Sequence, residues 1–242
     1  MSGRGWIDLH SHLLPGIDDG CQSLGESIAC VQRLIERGYA GSVCTPHVDR
    51  EMCPDNTCRA IAQRVSELER ELRAAGIEYR LWSGGELRIA DDTIAWIEEI
   101  GVPTLGASKW VLVDYWGCAW PEYADELCHR LLANGYEVLL AHPERMNFEA
   151  SHLETVLHSL QQRGVRLQGN FNSVSGGEGT RAASVARRLL AENRYEVLAL
   201  DMHRPDSLPS RFDGLARVEQ ELGSEELGRL IEQRPRAILS GS

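Results

Sequence analysis

The chain has 242 residues, with 36 acids against 25 bases for a formal charge of −11. A chain this long buries a full core without disulfides or a structural metal, and it has no apolar run long enough for a membrane-spanning helix. Its acidity argues against nucleic-acid backbone and anionic membrane as partners, because both are bound through basic patches.

Hydrophobic periodicity predicts an alternation of strands and helices along the chain. A strand at Trp6–Leu9 precedes a helix at Ser23–Arg37, where Ser23 and Glu26 fit a capping box. A strand at Gly41–Thr45 precedes a helix at Thr57–Ala74. A third strand at Glu78–Ser83 leads to a helix at Asp91–Ile100, and a fourth at Trp110–Tyr115 to a helix at Glu122–Asn134. A fifth strand at Glu137–Ala141 is followed by a helix at His152–Arg163, and a sixth at Val165–Gly169 by a helix at Thr180–Glu192. A seventh strand at Val197–Leu200 precedes helical sequence from about Asp213 onward. Ser173–Gly179 reads as a loop. Such alternation implies parallel strands with right-handed crossovers, in a closed barrel or an open doubly wound sheet. No linker interrupts it, so residues 1–242 read as one domain.

In (β/α) barrels the reactive groups gather at the C-terminal ends of the strands. Here those ends carry His10 and His12, His47, Glu86, Asp114, His142 with Arg145, Asn170 and Asn172, and Asp201 with His203; Asp18 and Asp19 lie in the first loop. Strand residues two apart share a face, so His10 and His12 can approach one ion, as can Asp201 and His203. Imidazole and carboxylate without thiolate suit Zn, Mn, Fe or Co. The candidate ligands are His10, His12, Asp19, His47, Glu86, Asp114, His142, Asp201 and His203. One ion takes about four to six ligands, so this set suggests two or three divalent ions sharing carboxylates. His129, His152 and His158 fall in helices and read as surface or packing residues.

The segments Ile7-Asp8-Leu9-His10-Ser11-His12-Leu13-Leu14-Pro15-Gly16-Ile17-Asp18-Asp19-Gly20, Thr45-Pro46-His47, Gly85-Glu86, Ala141-His142-Pro143-Glu144-Arg145 and Asp201-Met202-His203 resemble the PHP (polymerase and histidinol phosphatase) superfamily. They are most similar to its bacterial protein-tyrosine phosphatases of capsule and exopolysaccharide biosynthesis. The match is collinear from about residue 6 to 203. The resemblance implies a distorted (β/α)7 TIM-like barrel with a trinuclear centre, manganese favoured. It places His10, His12, Glu86 and Asp201 around one ion. Glu86 would bridge to a second ion held by Asp114 and His142, and Asp19, His47 and His203 would hold a third. Arg145 matches a phosphate-binding arginine, and Arg204 or Arg211 stands near a second one. The family usually has Glu where this chain has Asp114. The implied substrate is the phosphorylated tyrosine-rich tail of a membrane-associated bacterial tyrosine kinase. The alternative is a small phosphomonoester such as histidinol phosphate.

A metal-held hydroxide would attack phosphorus, with Arg145 and Arg204 or Arg211 stabilising the equatorial oxygens. The aromatic segment Tyr115–Tyr123 would either stack on a substrate ring or pack the barrel rim. A cysteine phosphatase competes weakly: C-x5-R spacing occurs at Cys44/Arg50, Cys53/Arg59 and Cys58/Arg64, without a Gly-rich phosphate loop. The seven cysteines are odd in number and form no C-x-x-C pair, which points to a reducing cytoplasm. The opening Met-Ser-Gly-Arg-Gly-Trp carries no apolar signal region, so no export is expected.

Overall fold

The computed structural model describes residues 5–241. Strands β1 (Trp6–Ser11), β2 (Tyr39–Cys44) and β4 (Arg80–Ser83) form one ladder. The second runs β3 (His47–Val48), β5 (Glu86–Arg88), β6 (Trp110–Asp114), β7 (Glu137–Ala141), β8 (Arg166–Asn170) and β9 (Tyr195–Ala199). Every ladder between these strands is parallel. The periodicity missed β3 and β5, which continue β2 and β4 past short breaks. Pro46, in the first break, has no N–H to give a ladder. Gly85, in the second, lies so close to β3 that a Cβ would meet Val48 Cγ2 at 2.6 Å. Each split strand therefore belongs to both ladders.

The ring closes beyond β9. His12 N donates to Met202 O at 2.9 Å and Asp201 N to His10 O at 2.9 Å, so the chain after β9 lies beside β1. Pairing thus passes round seven strand positions. Ile7, Leu9, Val43, Leu112, Leu139, Ala141 and Val197 fill the interior. Leu105 and Ile238 pack with them, flanked by Trp82, Trp110 and Leu239. The larger apolar cluster lies between the strands and the helices.

The helices are α1 (Leu24–Glu36), α2 (Cys58–Ala74), α3 (Thr93–Ile100), α4 (Glu122–Ala133), α5 (Ala150–Gln162), α6 (Phe171–Ser175), α7 (Gly179–Ala191), α8 (Leu208–Gly228) and α9 (Arg234–Ser240). Ser23 caps α1 by accepting from Glu26 N at 3.3 Å, but the Glu26 carboxylate returns to Gln22 N rather than to Ser23. The expected loop at Ser173–Gly179 is shorter than read: Ser173–Ser175 end α6 and Gly179 begins α7. The C-terminal helical region starts at Leu208 rather than Asp213, and Gly223 breaks it at φ 82°. No helix of the described residues is long and apolar enough to cross a membrane.

Candidate metal centre

The register of β1 against β2 explains why Ile7, Leu9, His10 and His12 all reach the barrel interior. Asp8 pairs with Ser42 and Ser11 with Cys44, so β1 carries one extra residue between these pairs. A bulge reverses which side chains face inward. Ile7 and Leu9 therefore fill the apolar interior below, while His10 and His12 join the polar layer above. Two other ligand candidates sit in left-handed backbone, His142 at φ 30° and Asp201 at φ 48°. Such conformations cost about 1–3 kcal/mol and persist where their surroundings enforce them. Asp201 O is held by Arg211 Nε at 3.0 Å and Nη2 at 2.6 Å, and it also accepts from His203 Nδ1 at 3.0 Å.

Ligand-type atoms converge in three groups, each with its members within 4.8 Å of one another: His10, His12 and Asp201; His10, Glu86 and His142; and His12, Asp19, His47 and His203. In the deepest, His10 Nε2 faces His12 Nε2 at 3.3 Å. Both nitrogens face Asp201 Oδ1, at 3.3 and 3.4 Å, and Glu86 Oε2, each at 3.4 Å. A tetrahedron of ligands ~2.0–2.1 Å from a central ion has edges of ~3.3–3.4 Å. Glu86 Oε2 is buried without a hydrogen-bond partner, although three imidazoles surround it. The donor set and its spacing fit a divalent cation. Nearer the rim, Asp19 Oδ1 lies 3.3 Å from His47 Nε2 and 3.4 Å from His203 Nε2.

Outer partners orient these rings. Gln168 Nε2 donates to Gly169 O and Asn170 Oδ1, which leaves Oε1 to accept from His10 Nδ1 at 2.9 Å. Asp18 Oδ2 accepts from His12 Nδ1 at 2.8 Å, while its Oδ1 accepts from Gly20 N. Each ring then turns Nε2 and its lone pair to the centre. Gly20 is required because a Cβ there would lie 2.3 Å from His12 O. Asn170 Nδ2 and Arg145 Nη1 both donate to Asp201 Oδ2, at 2.8 and 3.0 Å. Glu144 is fully buried; it accepts from Asn170 N and Tyr195 Oη, tying the His142–Arg145 turn to β8 and β9. The strand-end reading passed over Gln168, and it gave Glu144 and Asp18 no role. The Asp-Asp-Gly run was the available signal for Asp18.

Charge balance within the cluster is severe. Burial would drive the His12 imidazolium to lose its proton, but Asp18, Asp201 and Glu86 hold its pKa well above the usual value. The same opposition leaves His47 at about 10, through Asp19 and Glu86, and His142 at about 9, through Asp114 and Glu86. Against their own burial, Glu86 and Asp201 are held well below the carboxylate range, His10 being the leading opposing charge for both. Protons on imidazoles here neutralise carboxylates that a bound cation would neutralise directly.

Two expectations change, for Arg211 and Asp114, and the cysteine alternative weakens further. Arg211 is 7% exposed, and its guanidinium donates to Leu200 O, Asp201 O and Ser207 O. It supports the Asp201 backbone and is not offered to a substrate; Arg204, one residue past His203, is the exposed member of the pair. Asp114 joins none of the three ligand groups: its Oδ1 lies 3.7 Å from His142 Nδ1 and its Oδ2 accepts the Trp116 indole N–H. Burial pushes the Cys44, Cys53 and Cys58 thiols up, the opposite of what a thiolate nucleophile needs.

A cavity of about 500 Å³ opens beside the centre, lined by Asp114, Tyr115, Trp116, His142, Arg145 and Met146 among others. The Arg145 side chain is 44% exposed and also faces Glu178 at 3.8 Å. The aromatic segment divides in two. Tyr115 packs on Trp120 and Phe148, whereas Trp116 is 45% exposed and meets His47 edge-on at 5.4 Å.

Known proteins share this arrangement of the chain. The tyrosine-protein phosphatase YwqE of Bacillus subtilis (strain 168) is 27% identical over 220 residues, covering 90% of this chain and 86% of its own. The tyrosine-protein phosphatase CpsB of Streptococcus agalactiae serotype V is 26% identical over 242 residues, covering 96% and 98%. A crystal structure from work on YwqE of Bacillus subtilis and CpsB of Streptococcus pneumoniae, described as metal-dependent tyrosine phosphatases, superposes with a TM-score of 0.85 at 26% identity. It covers 98% of this chain and 95% of its own. The phosphotriesterase homology protein of Escherichia coli shares the fold alone, with a TM-score of 0.61 at 12% identity, covering 99% of this chain and 100% of its own. The family described as capsular polysaccharide synthesis, CpsB/CapC, matches residues 6–240, and the chain belongs to it.

Proposed function

We propose that the chain is a metal-dependent protein-tyrosine phosphatase working as one domain over residues 1–242. The carrying observation is a buried imidazole–carboxylate centre whose edge is lined by Arg145 and an exposed indole. The tyrosine-phosphatase names of relatives that cover nearly the whole chain support phosphotyrosine over histidinol phosphate. The ligands on this reading are His10, His12, Asp19, His47, Glu86, His142, Asp201 and His203, holding two or three divalent ions, manganese by resemblance. The substrate is the phosphorylated tyrosine-rich tail of a membrane-associated kinase of polysaccharide production, met in the cytoplasm.

When bound, the ions supply a water of lowered pKa and a positive field for the phosphate. Arg145 donates to a phosphate oxygen in addition to Asp201, and its fork suits that geometry. Trp116 and Tyr115 wall the cavity in which a phenol ring would sit. Phenolate, with a pKa of about 10, leaves with less acid assistance than an alkoxide. Arg204 stands exposed at the β9 end of the rim, where it can meet a phosphate or a flanking acidic residue.

The test is hydrolysis of a phosphotyrosine peptide, an aryl phosphate and histidinol phosphate by manganese-loaded protein. The first two are turned over, chelation stops the reaction, and thiol alkylation leaves it intact. Preference for histidinol phosphate, or activity that survives chelation, overturns the reading. Arg145→Ala should lower activity by about 10²–10³-fold, the scale of one oxyanion donor.

A further inference from the structure

We infer that Asp114 positions His142 and the rim indole rather than ligating an ion, and that the ion between Glu86 and His142 is the most weakly held of the centre. The inference rests on the metal-centre reading above. An imidazole offers its two nitrogens on different edges of the ring. His142 Nε2 faces Glu86 Oε1 at 2.9 Å, and Nδ1 faces Asp114 Oδ1 at 3.7 Å. An ion held jointly with Glu86 would take Nε2, the nitrogen that faces Glu86, with Asp114 on the Nδ1 side of the ring. Asp114 Oδ1 stands beyond hydrogen-bond length of that ring, so it acts on His142 through its charge on the Nδ1 side, whereas Asp18 holds His12 by a 2.8 Å hydrogen bond.

Strand register explains the distance. Glu86 pairs with Leu112, and Asp114 pairs with Arg88. Asp114 therefore lies two residues, ~6.6 Å, beyond the level of Glu86 on the next strand. Glutamate has one more methylene with which to lean back toward that level. Aspartate lacks it, and its second oxygen is taken by the Trp116 indole N–H. Trp116 is further held by Arg88 stacked 4.7 Å from its ring, and Arg88 pairs with the buried Asp49 at 2.8 Å. Asp114 is thus the joint between His142 and the aromatic wall of the cavity.

The ligand supply follows from the same geometry. His10 has only Nε2 to offer, since Nδ1 is bonded to Gln168. His10 belongs both to the group with His12 and Asp201 and to the group with Glu86 and His142, so that one nitrogen would have to serve both. Were a first ion to take it, a second would be left with Glu86 Oε1 and His142 Nε2 as the protein atoms that could hold it. Two ligands fall short of the three or four that hold a metal firmly.

The experiment measures manganese per chain by elemental analysis after desalting, for the wild type, Asp114→Asn and Asp114→Glu. Two equivalents are expected for wild type, two for Asp114→Asn and three for Asp114→Glu. Asp114→Asn should still lose about 10–100-fold in kcat, the usual effect of an outer partner. Trp116→Phe should keep the metal count and raise KM for an aryl phosphate. One equivalent fewer in Asp114→Asn than in wild type overturns the inference, as does a Glu variant that gains none. Melting curves exclude misfolding, and the Glu variant carries the test if the Asn variant does not fold. A protein that binds no manganese at all would instead overturn the metal-centre reading.

Discussion

The deep and rim halves of the centre are built differently. The deep candidate ligands His10, His12, Glu86 and Asp201 have side chains at most 2% exposed, and all but Glu86 have an outer partner, in Gln168, Asp18, Asn170 and Arg145. The rim candidates are open: the Asp19 side chain is 65% exposed, His203 24% and His47 16%. Asp19 comes from a loop, whereas the deep ligands come from strand ends. The deep half is pre-shaped by backbone pairing, so it sets where charge sits. The rim half combines the loop residue Asp19 with His47 of β3 and His203 beyond β9, and its exposure puts it where ions and substrate would enter.

Variants can break this contrast. The largest effect is expected for Glu86→Ala, because Glu86 faces His10, His12, His47 and His142 together. Activity should fall to background and bound manganese by at least one equivalent; retained metal would show that the centre does not depend on its bridge. Asp18→Asn keeps the shape but weakens the hold on His12. It should cost about 10–100-fold in metal affinity by calorimetry, and an unchanged affinity would place Asp18 among merely structural groups.

The pH dependence sharpens the contrast. In metal-free protein the His47 and His142 pKa values, about 10 and about 9, lie above the unfolded value near 6.5. Their stabilisation is complete below pH ~6.5, where folded and unfolded chains both bind the protons. It declines as pH rises toward 9 and 10, where the unfolded chain has already released them. Metal requires neutral imidazoles, so the gain in Tm from manganese should grow over the same interval. A metal-free Tm that rises with pH would contradict the charge balance. The smallest effect is expected for Asp19→Ala. It should lower metal affinity while costing the metal-free protein only about 0–1 kcal/mol, the scale of an exposed ion pair, here with His47 and His203. Chemical denaturation reads it, and a large loss would mean that the rim is structural.

Much of the strand–helix order was legible because each strand is a short apolar run and each helix a periodic one. The expected Glu137–Ala141 strand is the observed one, and Thr57 caps α2 where the helix was read to begin. The short β3 and β5 were not legible, since two- and three-residue strands carry no period and owe their pairing to neighbours. The reactive strand ends were legible by residue type. Gln168 and Glu144 were not, because an amide or a carboxylate inside a strand or turn looks the same whether it holds a ligand or packs.

The chain alone determined the type of site: imidazoles and carboxylates recur at the ends of strands that alternate with helices, and no other part of the chain repeats that chemistry. Tertiary structure decided direction and reach. The bulge in β1 turned His10 and His12 inward above an apolar interior, which no pattern of alternation encodes. Register placed Asp114 one level beyond Glu86 and behind His142. Packing around the left-handed Asp201 peptide consumed Arg211, leaving Arg145 and Arg204 at the rim. Each outcome depends on which atoms of distant segments meet, and that is set only when the ring of strands closes.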